Sequence, residues 1–392
     1  MKKNKWKSLT LDEASIFIRG VVFSTKDEVD SGGYAILRSH NVDFLNSKVS
    51  FHNLKFVSDT VKVKESQMLL TNDILISVAN SKEQTGKIGF CYNNTGAFAG
   101  GFMAILRPKK IINPFYLFSY LLTHKSKDFI AGRTQGTTNI FNITFERIKD
   151  LQIPLPPLEE QKQIASLFQA IETAMEYVEG QEKNLYQLKH KLLKDLFSEK
   201  QELGNYLKAK DFETVRFDKI AKNISERVEP KKTELTTYVG LDHLDADNLN
   251  IERTGTPSDV IGTKLKIYKG DIIFGKRRAY LRKVAVSHFD GIASAHSMIL
   301  RADEKNIEKD FLPYFMQSET FMTRAVQISE GSLSPTIKNS TLAKQEFILP
   351  KKDKQKELIS IFKQFDATMG LLKQQRTTLK NLKQKLLNEI LG

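Results

Sequence analysis

The sequence predicts an α/β fold in two copies, each a mixed α+β domain followed by one long helix. Three observations predict it. First, apolar residues recur every seven positions after Pro157: Ile164, Ile171, Val178, Leu185 and Leu192 form one seam position, and Leu167, Ala174, Gln181 and Leu188 the second. That is the pattern of a long helix that pairs with another long helix. Second, residues 348–391 fall on this stretch when shifted by 194, placing Gln161 on Gln355, Phe168 on Phe362, Met175 on Met369 and Leu188 on Leu382. The matching seam is Leu358, Phe365, Leu372, Leu379 and Leu386. Third, short β-type runs and an apolar helical run precede each long helix in the same order. Self-similarity of this kind marks an internal duplication. The predicted organisation is a domain over 1–155, a helix over 156–200, a domain over 201–348 and a helix over 349–392.

The chain has 392 residues, room for two ordinary domains plus connecting helices. Hydrophobic residues make up 40% and there are 25 Phe, enough for real cores. The single cysteine, Cys91, excludes an internal disulfide and favours a reducing compartment. The basic start lacks an apolar run of secretory type, and no segment is apolar over 18 residues, so a cytoplasmic protein is expected. A net charge of +14 favours a polyanionic partner. The excess sits on residues 1–158 (21 basic, 13 acidic) and 351–392 (10 basic, 4 acidic), whereas 159–200 is acidic (6 basic, 8 acidic). Opposite signs on the two helices favour their pairing with each other.

In the first domain, Tyr34–Leu37, Asp73–Ala79, Lys87–Phe90 and Phe102–Leu106 read as strands, the second introduced by the turn-prone Thr71-Asn72. Pro114 opens a helix over FYLFSYLLTHKSKDFIA. A polar loop, Gly132–Asn142, leads towards Pro154, Pro156 and Pro157, each of which holds its preceding residue extended. The second domain repeats this order with Tyr238–Leu241, Gly270–Phe274, Ala295–Leu300, the helix FLPYFMQSETFMTRAV and the loop Gly331–Ile337. Element order persists while loop residues diverge.

Two loop regions carry candidate chemistry. Lys276, Arg277, Arg278, Tyr280, Arg282 and Lys283 crowd basic groups around a tyrosine after a strand, a composition suited to phosphate contact and to arginine readout of guanine. A solvated basic hairpin is the alternative. The matching loop of the first domain offers Asn80, Lys82, Gln84 and Lys87; Asn80 and Gln84 have the amides that read adenine, or they simply shape a turn. Before each long helix lies a second polar cluster: Arg133, Thr134, Gln135, Thr137, Thr138 and Asn139 in the first copy, Ser332 and Ser334 in the second. Base contact and turn shaping both account for it.

Enzyme motifs fail on inspection. Gly270-x4-Gly275-Lys276 imitates a phosphate-binding loop, but Arg277 stands where a magnesium-holding Ser or Thr is needed, and the intervening residues read as a strand. Asn113-Pro114-Phe115-Tyr116 lacks the second proline of an amino-methyltransferase motif. The seven histidines show no ligand spacing. Glu159 and Glu160 read as first-turn residues complementing the helix dipole.

The phrase PLPPLEEQKQIA at 154–165, followed by a long helix, resembles the central region of type I restriction–modification specificity (S) subunits, and the resemblance covers the whole chain. The second copy, LPKKDKQKEL, keeps one proline, the glutamine and the apolar pattern. The resemblance implies two target-recognition domains, each gripping one half of a bipartite site in double-stranded DNA. It also implies two antiparallel coiled-coil helices that hold the domains apart. A helix of about 38 residues spans roughly 57 Å, against about 34–36 Å for a turn of B-DNA. Partners implied are two methyltransferase (M) subunits and, through them, restriction (R) subunits. S-adenosylmethionine, ATP and Mg²⁺ then belong to the partners and none to this chain, which carries no catalytic or metal site. Phe168, Met175, Phe362 and Met369 either dock M or thicken the core. The rival readings are a self-contained methyltransferase or restriction enzyme, and a coiled-coil scaffold that binds nucleic acid without sequence preference.

Overall fold

The computed structural model describes residues 6–43, 46–93, 96–136, 140–198, 203–204 and 206–392. The chain forms two compact units: Met1–Glu179 with Gln374–Gly392, and Gly180–Lys373. Each unit therefore holds one domain, part of its own long helix and part of the other. The first long helix runs Leu158–Leu196 and the second Lys352–Ile390, 39 residues each.

In the first unit, Lys7–Thr10 pairs antiparallel with Gln152–Leu155, clasping the chain start to the strand that enters the helix. The main sheet orders Ser15–Arg19, Met103–Pro108, Ile74–Ser77 and Ile88–Phe90 antiparallel, with Lys48–Val49 and Val42–Asp43 at its far edge. A second sheet contains Tyr34–Leu37. The second unit repeats the plan: Phe212–Arg216 pairs with Glu346–Pro350, and Ala221–Ile224, Ser297–Ala302, Ile272–Gly275 and Val284–Val286 form the main sheet. Its central strands are buried on both faces, which is why Ile272-Ile273-Phe274 reads as an unbroken apolar run.

Three polar devices repeat and explain the motifs. Asn72 (φ 74°) and Gly270 (φ 94°) take the left-handed turn before the central strand. The next residue is a buried aspartate gripped by a fork: Arg107 donates Nε and Nη2 to Asp73, at 2.9 and 2.8 Å, and Arg301 does so to Asp271, at 2.7 and 3.0 Å. The glutamine of PLPPLEEQ is the third. Buried Gln161 accepts from the Asn113 backbone N–H at 2.8 Å and donates to the Pro156 carbonyl at 2.9 Å. Gln355 accepts from Glu308 N–H and donates to the Pro350 carbonyl at the same distances. The side chain thus fastens the helix start to its domain and satisfies two backbone groups that burial would orphan.

Two expectations need correction. The helix after Pro114 is two helices, Pro114–Leu121 and His124–Ala131, because the buried hydroxyl of extended Thr123 accepts from the Ser126 N–H and starts a new helix. Ser318 does the same between Phe311–Gln317 and Glu319–Gln327. The second seam position is not a seam: Leu167 is 42% and Leu188 54% exposed. Ile164, Ile171, Val178 and Leu358 are buried, whereas Leu185, Leu192, Phe365, Leu372, Leu379 and Leu386 are half-buried. The buried stripe shifts because the helices lie on domains as well as on each other. Ile164, Ala165, Phe168 and Ile171 join the first core with Leu387 and Leu391, and Leu193, Leu196, Leu358 and Phe362 join the second. That is the wide stripe of a globular helix. Phe168 and Phe362, fully buried there, are core and present nothing to a partner; Met175 and Met369 are half-buried.

Within each unit the two helices run antiparallel and share a buried ion pair. Glu172 pairs with Lys383 in the first, and Lys189 with Asp366, at 2.6 Å, in the second. The shift of 194 carries Glu172 onto Asp366 and Lys189 onto Lys383.

Candidate nucleic-acid interface

In each unit the two loop clusters singled out from sequence, distant in the chain, meet on one edge. In the first unit, Ala79–Asn80 pairs with Phe141–Asn142, which pairs with Gln135–Gly136. The described ends of this loop, Gln135–Gly136 and Phe141–Asn142, are thus paired and laid against the residues that follow the central strand. Thr85 sits within donor distance of the Phe141 carbonyl at 3.2 Å. In the second unit, Arg277 bridges to Thr336, the Arg278 N–H donates to the Pro335 carbonyl at 2.7 Å, and the Ile337 N–H to the Lys276 carbonyl at 3.0 Å. The frame puts both clusters there because the central strand ends beside the segment that returns to the linker.

The first edge is made of amides, hydroxyls and lysines. Asn80 donates to Ser39 Oγ at 2.6 Å and accepts from the Ser81 N–H at 2.8 Å, so its amide builds the turn. Lys87 donates to Gln84 Oε1 at 3.2 Å, and burial lowers its pKa. Lys82 and Gln135 are exposed. Arg133 is exposed and stacks on Phe129, 3.4 Å from the ring centre, the flat face that guanidinium packing favours. Thr137, Thr138 and Asn139 lie outside the described residues.

The second edge is made of guanidiniums. Arg278 (φ 57°) and Arg282 (φ 54°) both take left-handed backbone, which turns the chain sharply at each end of Ala279–Leu281. Arg282 is fully engaged: Nε with Asp247 at 2.8 Å, Nη1 with Glu319 at 3.0 Å, Nη2 with the Gln317 carbonyl at 2.7 Å. It braces the loop against the helices behind. Lys283 donates to the Leu241 carbonyl. Arg277 and Arg278 converge on Ser334 Oγ, at 3.1 and 3.3 Å, and Arg277 also meets His296 at 3.3 Å. Arg278, Tyr280 and Ser332 are exposed. Burial, then Arg227, lowers the Lys276 pKa; burial, then Arg277, Lys276 and Lys264, lowers that of His296. His296, Arg227 and Lys264 are members of this edge that no local motif signals, since each lies on a different strand or strand end.

Among the described residues these edges present hydrogen-bond donors and cations on a surface. Among the described residues, no group of three or more His, Cys, Asp or Glu is placed to hold a metal ion, and no helix is long and apolar enough to cross a membrane.

Comparison with known proteins follows the duplication. A family model, "Type I restriction modification DNA specificity domain", matches twice, over residues 3–187 and 209–381. The putative type I restriction enzyme MjaX specificity subunit of Methanocaldococcus jannaschii is 26% identical over 391 residues, covering 94% of this chain and 88% of the relative. The MjaVIII specificity subunit of the same organism is 23% identical over 410 residues, covering 98% and 92%. The EcoKI specificity subunit of Escherichia coli is 29% identical over 164 residues, 41% of this chain and 34% of its own. Among solved structures, the S subunit of the type I restriction–modification system of M. genitalium has a TM-score of 0.60 at 16% identity, covering 100% of this chain and 98% of that one. A chain from a structure concerned with assembly and conformational transition of the type I system has a TM-score of 0.59 at 16% identity, covering 98% and 97%.

Proposed function

Because this chain belongs to the type I restriction modification DNA specificity family, as the specificity subunit of such a system, we propose that its two edges each read one half of a bipartite DNA site. The observation that carries this reading is the convergence of two loop clusters on one edge in each copy, with different chemistry in the two. A duplicated frame with one reading face per copy accommodates two unlike half-sites. The first edge offers Lys82, Gln84, Lys87, Arg133 and Gln135; the second offers Lys276, Arg277, Arg278, Tyr280 and Ser332. Arg282 and Lys283 hold the second loop in shape, and Asn80 the first.

Lysine and arginine contacts to phosphate supply most of the affinity and make it fall with salt, while base contacts at the edges supply preference. The long helices set the spacing between half-sites and dock methyltransferase subunits, two per chain, through which restriction subunits join. Catalysis, S-adenosylmethionine, ATP and Mg²⁺ belong to those partners; this chain acts without a reaction of its own. With DNA as its ligand, its compartment is the cytoplasm.

The test is an exchange of residues 201–348 for the equivalent segment of a relative, followed by methylation mapping in cells carrying the partner subunits. One half of the recognised sequence should change and the other stay. A simultaneous change of both halves overturns the modular reading, and methylation by this chain alone overturns the assignment of catalysis to partners.

A further inference from the structure

Beside each domain, where its last helices meet the long helices of the same unit, lies a cleft, and the duplication makes the two clefts equivalent. In the first unit the cleft has a volume of about 410 Å³ and is lined by Met175, Lys383, Gln384 and Leu387. The shift of 194 carries these onto Met369, Lys189, His190 and Leu193, which line the cleft of the second unit. The sites share a position and have diverged in charge.

The second cleft is neutralised from within. Lys189 is paired with Asp366, and Asp247 receives the Tyr186 hydroxyl at 3.0 Å and Arg282 at 2.8 Å; Glu252 adds another carboxylate. The first cleft is not. Lys383 has Glu172, but Lys82, Lys127 and Lys380 line the same cleft with no carboxylate paired to them among the described residues. Lys380 stands where the second cleft has Tyr186. Among the described residues Glu83 is the one acid on the lining, and it is exposed. Partial desolvation, then the charges of Lys383 and Lys380, lowers the pKa of Lys127: the ammoniums repel one another across the opening. A concave site lined by one sign of charge concentrates the opposite ion. Repelling cations kept together, on a frame whose other copy has Tyr186 in place of Lys380, mark a place for an anion.

The geometry points to a phosphate-binding cleft in the first unit, formed by Lys127 and Lys380, which lie outside the two reading edges, together with Lys82 of the first edge. The phosphate comes either from the DNA backbone flanking the first half-site or from a free polyphosphate. The DNA source rests on the reading of the edges given above; the anion site itself does not.

The experiment uses the full chain with Lys127→Gln, Lys380→Gln and the double variant, all exposed positions, with thermal melting to check folding. Lys125→Gln, an exposed lysine outside the cleft on the same short helix, serves as comparison. Binding to target and unrelated duplexes is measured from 50 to 200 mM salt, and binding of inorganic pyrophosphate by calorimetry. If the source is DNA, the double variant loses affinity equally for both duplexes, and its salt slope becomes shallower by about one to two, since each phosphate contact contributes roughly 0.9. If the source is a free polyphosphate, wild type binds pyrophosphate, the double variant does not, and DNA binding stays as it was. Unchanged slope together with no pyrophosphate binding overturns the cleft, as does an equal loss in Lys125→Gln. Failure of the edge reading is separate: it appears as absent preference between the duplexes with the salt slope intact.

Discussion

The two units share what is buried and differ in what is exposed. The left-handed turn before the central strand, the aspartate–arginine fork, the glutamine clamp, the hydroxyl cap between the paired short helices and the cross-helix ion pair recur position for position. The edges and the clefts do not. A buried polar group must keep its partner or be left orphaned, at a cost of about 1–3 kcal/mol, more when charged. A surface group can be replaced with little cost to folding. The comparison therefore separates frame from recognition surface, and it can be broken at either side.

The largest effect is expected from breaking the fork. Arg107→Ala and Arg301→Ala each strand a carboxylate that is 1% exposed, Asp73 or Asp271. Removing one partner of a buried pair costs roughly 3–5 kcal/mol, and thermal unfolding of the full chain should register it for both variants. Arg107 also donates to the Met68 carbonyl at 2.9 Å, so its loss should be the greater. Equal and small losses would mean the fork is ornamental. Next comes the clamp: Gln161→Ala and Gln355→Ala each remove two buried hydrogen bonds, with an expected loss of about 1–3 kcal/mol. Similar values at the two sites would show that the single-proline linker of the second copy is fastened as well as the three-proline linker of the first.

On the exposed side the expectation reverses. Arg277→Ala with Arg278→Ala should leave the melting temperature nearly unchanged and weaken DNA binding. If either arginine reads a guanine, about 1–3 kcal/mol of discrimination disappears at one position of one half-site; equal weakening on all sequences would reassign both to phosphate. A smaller effect concerns His296, whose pKa lies below its ordinary value through burial and then the neighbouring Arg277, Lys276 and Lys264. The unfolded chain takes up this proton more readily, so the contribution to stability is present above about pH 6.5 and is lost as pH falls. A DNA phosphate at this edge favours the charged ring instead, so DNA affinity should rise between pH 7.5 and 6. His296→Gln should flatten that rise, and an unaltered profile would place the phosphate elsewhere.

How much of this was legible in the sequence follows the same division. The duplication, the central strands and the long helices were readable because periodicity and repetition are local or registered signals. The split of the helix after Pro114 was missed because Thr123 looks like any helix residue until its burial in an extended conformation is seen. The seam was misjudged at Leu167 and Leu188 because a heptad pattern records apolar spacing, not which surface covers it. Of the candidate contacts, Arg277 and Arg278 stood out by composition, but the engagement of Arg282 with Asp247, Glu319 and Gln317 depends on residues 35 and more positions away. The gathering of Lys127 and Lys380 is beyond local reading for the same reason.

The finest test of the shared frame lies at the turn before the central strand. Asn72 and Gly270 occupy one left-handed conformation with different side chains, and nothing lies within 4 Å of where a Cβ on Gly270 would stand. If the backbone conformation is what the frame requires, exchanging the two residues should matter little. Asn tolerates this region better than other side-chain-bearing residues, and glycine accepts it at the expense of greater freedom in the unfolded chain. Asn72→Gly and Gly270→Asn should each shift stability by less than about 0.5 kcal/mol, whereas Asn72→Ala and Gly270→Ala should each cost about 1 kcal/mol. The four melting curves decide between two accounts. A cost for Gly270→Asn as large as for Gly270→Ala would mean that the second copy requires the absence of a side chain there. A cost for Asn72→Gly as large as for Asn72→Ala would mean that the first copy requires the amide. Either result would move this turn from the frame to the part of the molecule that each copy has made its own.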